Sequence, residues 1–168
     1  MTRAVACLVV AIAFTVASAP TAPARSAQQA ATNPVAYPEG YRAWTHIKSA
    51  VILPGHPAEA SFGGIHHVYG NRQAIDGMKS GRYADGAVLV FDLLAADSKD
   101  NAIGEGARKL LGVMQRDARR YAATGGWGYE AFSGDSKSER VVKDGGASCH
   151  QCHQARAQQT FVYSEWRP

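Results

Sequence analysis

A short stretch near the C-terminus, Cys149-His150-Gln151-Cys152-His153, constrains this chain more than any other feature. Two thiols three positions apart, followed directly by a histidine, form the C-x-x-C-H pattern typical of c-type haem attachment. In this interpretation Cys149 and Cys152 form thioethers with the haem vinyl groups, and His153 binds the iron from one side. His150 has no assigned role inside the motif. The motif therefore predicts haem c as the cofactor and His153 as the metal ligand.

Two other kinds of site also use a Cys-x-x-Cys pair. A closed structural zinc site needs four Cys or His ligands, and only scattered histidines are available to complete one here. A thioredoxin-like redox pair lies near the start of a βαβ unit, whereas this pair lies near the end of the chain and precedes a histidine. Both alternatives stay open at this point, and the haem interpretation is favoured over them.

The N-terminal segment, residues 1–27, has the pattern of a secretory signal peptide. A basic start precedes an apolar run from Ala4 to Ala17, and small residues and prolines follow. The apolar run is shorter than the about 20 residues that a membrane-spanning helix needs. We therefore expect an exported, periplasmic protein with no membrane span after processing. The pattern allows cleavage after Ala19, Ala24 or Ala27.

Export changes how the cysteine pair is interpreted. Removal of the leader takes Cys7 away, so Cys149 and Cys152 become the only thiols of residues 28–168. Outside the cytoplasm an unoccupied pair would tend to oxidise, and a bond to haem best explains its survival. The formal net charge of +4 falls to about +2 without the two arginines of the leader, too little to argue for nucleic-acid binding. Residues 28–168 are expected to form one haem domain.

The periodicity of apolar residues predicts an α+β fold, with an antiparallel sheet of about four strands and a few flanking helices. The haem motif lies between the last two strands. A polar loop, Asp97 to Asn101, precedes a long helix, in which Gly112 costs on the order of 1 kcal/mol relative to alanine. The predicted strands are Ser61 to Tyr69, Ala87 to Leu94, Trp127 to Phe132 and Thr160 to Trp166. The predicted helices are a short one through Tyr41 and Trp44, a second from the Asn71 cap to Gly81, and the long one from about Glu105 to Ala122.

The strand at Ala87 to Leu94 is apolar on both faces, so we expect it to be covered on both sides. Leu89, Phe91 and Leu93 share one face, and Val88, Val90 and Asp92 share the other. His66 and His67 are neighbours in a strand, so at most one of them can face a given pocket. Met78 is interpreted as core packing rather than as a sulfur ligand of iron, and His46 and His56 as surface residues.

The order of elements excludes two common haem proteins. Small class I cytochromes c are helical and carry the motif near the N-terminus, and four-helix cytochromes c′ have helices where this chain has strand patterns. The chain resembles the cytochrome P-460 and cytochrome c′-beta family in GGIHHVYGN, YADGAVLVFDLL, RRYAATGGWGYEAF and CHQCH followed by TFVYSEW. The resemblance implies an antiparallel β fold with a few helices, a homodimer, and a single haem against the sheet whose distal position is open to small molecules.

Three positions bear on function within that family. Members that oxidise hydroxylamine have a lysine joined to the haem ring, and counting from Asp85-Gly86 places that position at Phe91. The pocket carboxylate of the oxidising members falls at Gly112, and a pocket arginine falls at His66. The resemblance thus implies that Leu89 and Phe91 line the haem, with His66 as the one candidate polar group or, alternatively, as a packed core residue.

The sequence favours a ligand-binding or electron-carrying haem protein over an enzyme. A five-coordinate haem held by His153 under an apolar wall would bind nitric oxide or carbon monoxide, neither of which needs distal hydrogen bonds. The first alternative is an oxidoreductase acting on hydroxylamine or peroxide, for which His66 is the only candidate base. The second is a six-coordinate electron-transfer cytochrome with His or Met as the sixth ligand, served by a redox partner protein.

Overall fold

The computed structural model describes residues 35–167, and its centre is an antiparallel sheet of five strands. Each strand pairs with its neighbours in sequence, so the sheet is a meander in the order β1-β2-β3-β4-β5. The predicted α+β class is confirmed, with one strand more than expected. The predicted leader and the residues up to 34 lie outside the described range. The strands are β1 (Thr45–Ile52), β2 (Gly64–Gly70), β3 (Val88–Lys99), β4 (Ala102–Arg116) and β5 (Trp127–Ser133).

Three short helices flank the sheet: α1 (Glu59–Phe62), α2 (Arg72–Ser80) and α3 (Ala147–His153). The predicted start and end of α2 are confirmed, because the Asn71 side chain accepts a hydrogen bond from the Ala74 amide at 2.9 Å and Gly81 ends the helix with φ 72°. Within residues 35–167, no helix is both long and apolar enough to span a membrane. Segments of 3₁₀ helix lie at Tyr41–Ala43, Ala122–Thr124 and Gln154–Gln159.

The predicted long helix from Glu105 to Ala122 is wrong, because the chain from Ala102 to Arg116 is strand β4. A two-residue turn at Asp100 and Asn101, with φ 50° and 61°, joins β3 to β4. Positive φ at both central residues gives the turn a twist that matches paired strands. The predicted polar loop is therefore the tip of a long hairpin.

The apolar pattern of β4 explains the error. Leu111 and Val113 are buried on one face, while Leu110, Gly112 and Met114 lie partly exposed on the other. Apolar residues on both faces of a strand reproduce the spacing of a helical stripe, and pairing with β3 then decides the conformation. The cost of Gly106 and Gly112 in a helix is the signal in the sequence against the helical interpretation.

Three other predicted elements are wrong in part or in full. The helix through Tyr41 and Trp44 is limited to one 3₁₀ turn, since β-branched residues of Thr45–Ile52 pair with β2 instead. The strand predicted at Thr160 to Trp166 does not form. Its first two residues, Thr160 and Phe161, are left-handed with φ 55° and 67°, which stops strand pairing there. The strand predicted from Ser61 begins only at Gly64, because α1 occupies the preceding residues.

The sheet separates two apolar clusters, as expected from a strand apolar on both faces. We call the side that bears Leu89, Phe91 and Leu93 the front face, and the side that bears Val90 and Asp92 the back face. The back cluster includes Val35, Tyr41, Val90, Leu111, Val113, Tyr121 and Phe132. The front cluster includes Ala74, Ala87, Leu89, Trp127, Tyr129 and Val162, with Met78 and Cys149 packed against it.

Candidate functional site

Helix α3 places the cysteine pair beside the front face. Cys149 and Cys152 are three positions apart and so lie on the same side of the helix. Both thiols are free; Cys149 is half-buried against the front cluster and Cys152 is exposed. Burial, together with the nearby Asp144 charge, raises the pKa of the Cys149 thiol. Asp144 also fixes the start of α3 by accepting hydrogen bonds from the amides of Gly146 and Ser148 at 3.0 and 2.8 Å.

His153 is held in one orientation by the backbone that follows it. Its Nδ1 lies 2.6 Å from the Phe161 carbonyl oxygen. Because that oxygen can only accept, Nδ1 carries the proton and donates, which leaves the lone pair of Nε2 free. Burial lowers the pKa of His153, although the Phe161 carbonyl opposes the shift. The rings of Tyr129 and Tyr163 flank the imidazole, each with its centroid 5.1 Å away.

The carbonyl that orients His153 depends on an uncommon backbone conformation. Thr160 and Phe161 are consecutive non-glycine residues with positive φ, which costs on the order of 1 kcal/mol or more for each. The Phe161 amide donates to the Arg156 carbonyl at 2.7 Å, and the Tyr163 hydroxyl donates to the Cys152 carbonyl at 2.8 Å. These bonds hold the strained turn against α3. The strained backbone conformation directs the Phe161 carbonyl toward the His153 imidazole.

The positions that the family resemblance singled out are neighbours on the front face. Phe91 in β3 pairs directly with Gly112 in β4 and with Val68 in β2, and Gly112 pairs in turn with Ala131 in β5. Paired residues of antiparallel strands point to the same side of the sheet. Gly112 and Ala131 are small and partly exposed, so they form a shallow depression beside the Phe91 ring. A Cβ at Gly112 would lie 3.5 Å from the Phe91 Cβ, an ordinary contact.

His66 lies next to this depression and faces the same side. It is 8% exposed, its ring stacks on Phe91 with the centroids 4.7 Å apart, and its Nδ1 has no hydrogen-bond partner among the described residues. Burial lowers the pKa of His66, and the charges of Lys48 and His67 add to the shift. His67 points to the back face, as predicted from strand alternation. His66 is therefore a neutral imidazole with a free nitrogen atom.

Phe62 and Tyr129 belong to the site although the sequence analysis did not single them out. Leu89, which it did single out, lies deeper than expected. Phe62 at the end of α1 contacts Phe91 edge to face, with ring centroids 5.7 Å apart, although it is 44% exposed. Tyr129 could have been found from alternation in the strand predicted at Trp127 to Phe132, since it shares a face with Ala131. Leu89 is 5% exposed within the front cluster, deeper than Phe91.

Buried polar atoms without partners test whether these residues fit a large planar cofactor. Four such atoms lie on the α3 side of the sheet, and Tyr129 among them has a pKa raised by burial. Native proteins rarely leave such groups unpaired, so a cofactor with polar edges fits the arrangement. No three His, Cys, Asp or Glu side chains of residues 35–167 are grouped to hold a metal ion, so a closed zinc site at the cysteines has no further ligands there. The four atoms are His66 Nδ1, Trp127 Nε1, Tyr129 Oη and His150 Nδ1.

Comparison with known families agrees with this geometry. The model of the family described as Cytochrome P460 matches residues 38–164 and so includes both α3 and the front face. The chain belongs to the cytochrome P460 family. Membership implies haem binding. A comparison with functionally curated proteins gives no significant match.

The cytochrome P460 match supports the haem interpretation at the level of the family. The matched range ends at residue 164, beyond Phe161 and Tyr163, and therefore includes the turn that orients His153. The redox-dithiol alternative accounts for neither this turn nor the free Nε2 of His153, and a closed zinc site lacks further ligands among residues 35–167. A haem protein accounts for both, because a histidine ligand needs a fixed tautomer and an available nitrogen.

Proposed function

We propose that this cytochrome P460 family protein is an exported c-type haem protein that binds small ligands such as nitric oxide, carries electrons, or does both. The observation that carries the proposal is the pairing of His153 Nδ1 with the Phe161 carbonyl at 2.6 Å. This bond presents Nε2 as a neutral, oriented ligand. The relation of this protein to cytochromes c′-beta, with one haem in each chain, is part of the same proposal.

Four side chains would hold the cofactor. Cys149 and Cys152 would form thioethers with the vinyl groups, His153 would supply the axial nitrogen, and Phe91 would contact the macrocycle from the front face. When bound, the haem would supply an iron that can take up a small molecule or an electron. Tyr129 and Tyr163 limit rotation of the imidazole by packing on its two sides.

The composition of the front face favours diatomic gases whose binding does not depend on a hydrogen bond from the protein. The groups beside Phe91 are Val68, Gly112 and Ala131, none of which can donate a hydrogen bond from its side chain. Bound dioxygen is stabilised by a hydrogen-bond donor, whereas nitric oxide and carbon monoxide are not dependent on one. Among the described residues, the polar ring packed on Phe91 is that of His66, and the exposed Lys48, the strand partner of Val68, lies on the same face. We therefore expect strong nitric oxide binding and weak retention of dioxygen.

Oxidation of hydroxylamine is the second candidate, and the free Nδ1 of His66 is the observation that favours it. Because the pKa of His66 is lowered, its imidazole is neutral near pH 7 and can accept a proton. Phe91 and Gly112 occupy the positions of the family's lysine and carboxylate. Neither side chain can bond to the haem ring or transfer a proton during hydroxylamine oxidation. A six-coordinate electron-transfer protein is the third candidate, but Met78 packs against the front cluster.

Spectra of the ferric, ferrous and nitric-oxide-treated protein separate these functions. The proposal predicts a five-coordinate, high-spin ferrous haem that binds nitric oxide. A low-spin spectrum in both oxidation states would contradict it and support the six-coordinate alternative. Turnover of hydroxylamine with an electron acceptor would favour the enzyme, and His66→Leu should then lower the rate by about 10²–10⁴-fold, with His56→Leu as the exposed control.

Location and assembly follow the same reasoning. The predicted leader supports a periplasmic location, and the family resemblance supports a homodimer with a redox partner protein. Fractionation of cells that express the full chain should place the haem protein in the periplasm. Sedimentation of the haem-loaded protein should give the mass of two chains, and the mass of one chain would contradict the dimer.

A further inference from the structure

A second group of reactive side chains lies on the back face, away from the haem site. Ser49 in β1 and His67 in β2 are direct partners across the two strands, and Ser49 Oγ lies 2.6 Å from His67 Nδ1. His67 Nε2 lies 2.7 Å from Glu105 Oε1, and His46 Nε2 lies 2.9 Å from Ser49 Oγ. One continuous hydrogen-bond chain thus joins a hydroxyl, two imidazoles and a carboxylate.

The Glu105 carboxylate at one end fixes which group donates and which accepts in each of these hydrogen bonds. An ionised Glu105 carboxylate can only accept, so a neutral His67 must donate from Nε2 and keep the lone pair on Nδ1. The Ser49 hydroxyl therefore donates to Nδ1. Its oxygen in turn accepts from the Nε2–H group of His46. Two of these roles are those that a nucleophilic serine requires: a base beside the hydroxyl and a carboxylate that orients the base.

The exposure of the four side chains suits a reactive site. Ser49 and His46 are exposed, the side chain of His67 is 16% exposed, and that of Glu105 is 47% exposed. The base is therefore the most sheltered member, while the nucleophile is open to solvent. The paired strands β1 and β2 fix Ser49 and His67, so the contact between nucleophile and base depends on regular strand backbone rather than on a loop.

We propose that Ser49 is a nucleophile for acyl transfer from small activated esters, with His67 as its general base and Glu105 as the positioning residue. The exposed position of Ser49 fits short acyl groups with good leaving groups, which do not need a cleft that holds a long chain. The site shares no residue with the haem site and does not depend on the proposed haem function.

The reaction balances without an oxidant or a second cofactor. Ser49 Oγ forms a bond to the ester carbonyl carbon while His67 Nδ1 takes the hydroxyl proton, and His46 Nε2–H can donate to the developing oxyanion. The bond from the carbonyl carbon to the alcohol oxygen then breaks, and His67 returns the proton to the leaving alkoxide. Water, deprotonated by His67, attacks the acyl-serine and releases the carboxylic acid and free Ser49.

Hydrolysis of 4-nitrophenyl acetate by the haem-loaded full chain tests this proposal. Ser49→Ala and His67→Asn should each lower the rate at least about 10²-fold, and Glu105→Gln should lower it less. Ser61→Ala and His56→Asn are matched controls at exposed positions and should leave the rate unchanged. A haem absorption spectrum that is the same in all five variants shows that the haem site is intact.

Labelling distinguishes a nucleophilic serine from a reactive imidazole. A fluorophosphonate should modify Ser49 in the wild-type protein and fail to do so in His67→Asn, where Ser49 is still present; mass spectrometry of the digested protein locates the label. An ester-hydrolysis rate that survives in Ser49→Ala but falls in His67→Asn would show that the imidazole reacts alone and would overturn the proposal. Equal rates in all variants would also overturn it.

Discussion

Replacement of Asp92 by asparagine tests the polar network that holds the back of the sheet. Asp92 lies in β3 directly after Phe91, is fully buried, and accepts hydrogen bonds from the Tyr41 hydroxyl at 2.6 Å and from Arg108 Nε at 2.6 Å. Arg42 adds a bond at 2.9 Å, but its side chain is 50% exposed, so solvent screens that contribution. Asn keeps the shape of the side chain and removes the charge that Arg108 requires.

The main cost comes from Arg108, whose side chain is only 14% exposed. Breaking a buried ion pair by removing one partner costs about 3–5 kcal/mol, because the other charge stays buried. Arg108 also pairs with the exposed Asp135, which places the cost toward the lower end of that range. We expect Asp92→Asn to lower the free energy of unfolding by about 3 kcal/mol and Tm by on the order of 10 °C.

The same pair predicts how stability depends on pH. Burial alone would raise the pKa of Asp92, but hydrogen bonds from Arg108, Tyr41 and Arg42 outweigh it and leave the pKa below its ordinary value. A carboxyl with a lower pKa in the folded state contributes stability in full above the pKa of the unfolded chain, about 4, and loses it as the pH falls through the folded value. The difference between the wild type and Asp92→Asn should therefore shrink in acid.

Urea unfolding of the haem-loaded protein, followed by circular dichroism at pH 7 and below pH 4, measures both effects. Asp97→Asn is the matched control, since Asp97 lies in the same strand and is exposed; it should change stability by less than about 0.5 kcal/mol. A stability for Asp92→Asn within that margin of the wild type at pH 7 would refute the reasoning. So would a difference that widens in acid.

Three further substitutions are measured in the same way. Gly112→Ala should raise the free energy of unfolding by about 0.5–1 kcal/mol, because the new methyl makes only ordinary contacts, the nearest at 3.5 Å. Gly128→Ala should lower it by about 1–3 kcal/mol, because a Cβ there lies 2.3 Å from the buried Tyr121 ring; equal effects of the two changes would contradict this. His66→Leu should raise the stability of the haem-free chain with Cys149→Ser and Cys152→Ser by about 1 kcal/mol, because it removes a buried nitrogen without a partner, while nitric oxide binding persists in the haem-loaded protein; a loss of stability would show that His66 is satisfied.

Local patterns in the sequence predicted an element correctly where one physical effect dominated its conformation. The apolar strand after Asp85-Gly86, the Asn71 cap and the opposite orientations of His66 and His67 are all as predicted, because alternation and capping depend on neighbours in sequence. The roles of the cysteine pair and His153 are predicted from their spacing and stay predictions. The spacing carries no information on the side chains and backbone that surround them.

The rest of the fold depended on contacts between distant residues. Nothing near Gly112 shows that Phe91 pairs with it, yet that pairing turns a predicted helix into β4 and brings the two positions to one surface. The left-handed Phe161 carries no glycine or asparagine signature, so the carbonyl that orients His153 could not be predicted. Ser49, His67 and Glu105 are likewise brought together only by strand register.

Acid extraction of haem from the purified protein, followed by mass spectrometry of the digested chain, tests the central claim most directly. The account predicts that the haem stays with the protein and is found on the peptide that contains Cys149 and Cys152. Cys149→Ser and Cys152→Ser should each leave a single thioether, and the double variant should release all of its haem. Complete extraction from the wild-type protein, or a protein isolated with both thiols free and no haem, would contradict the account.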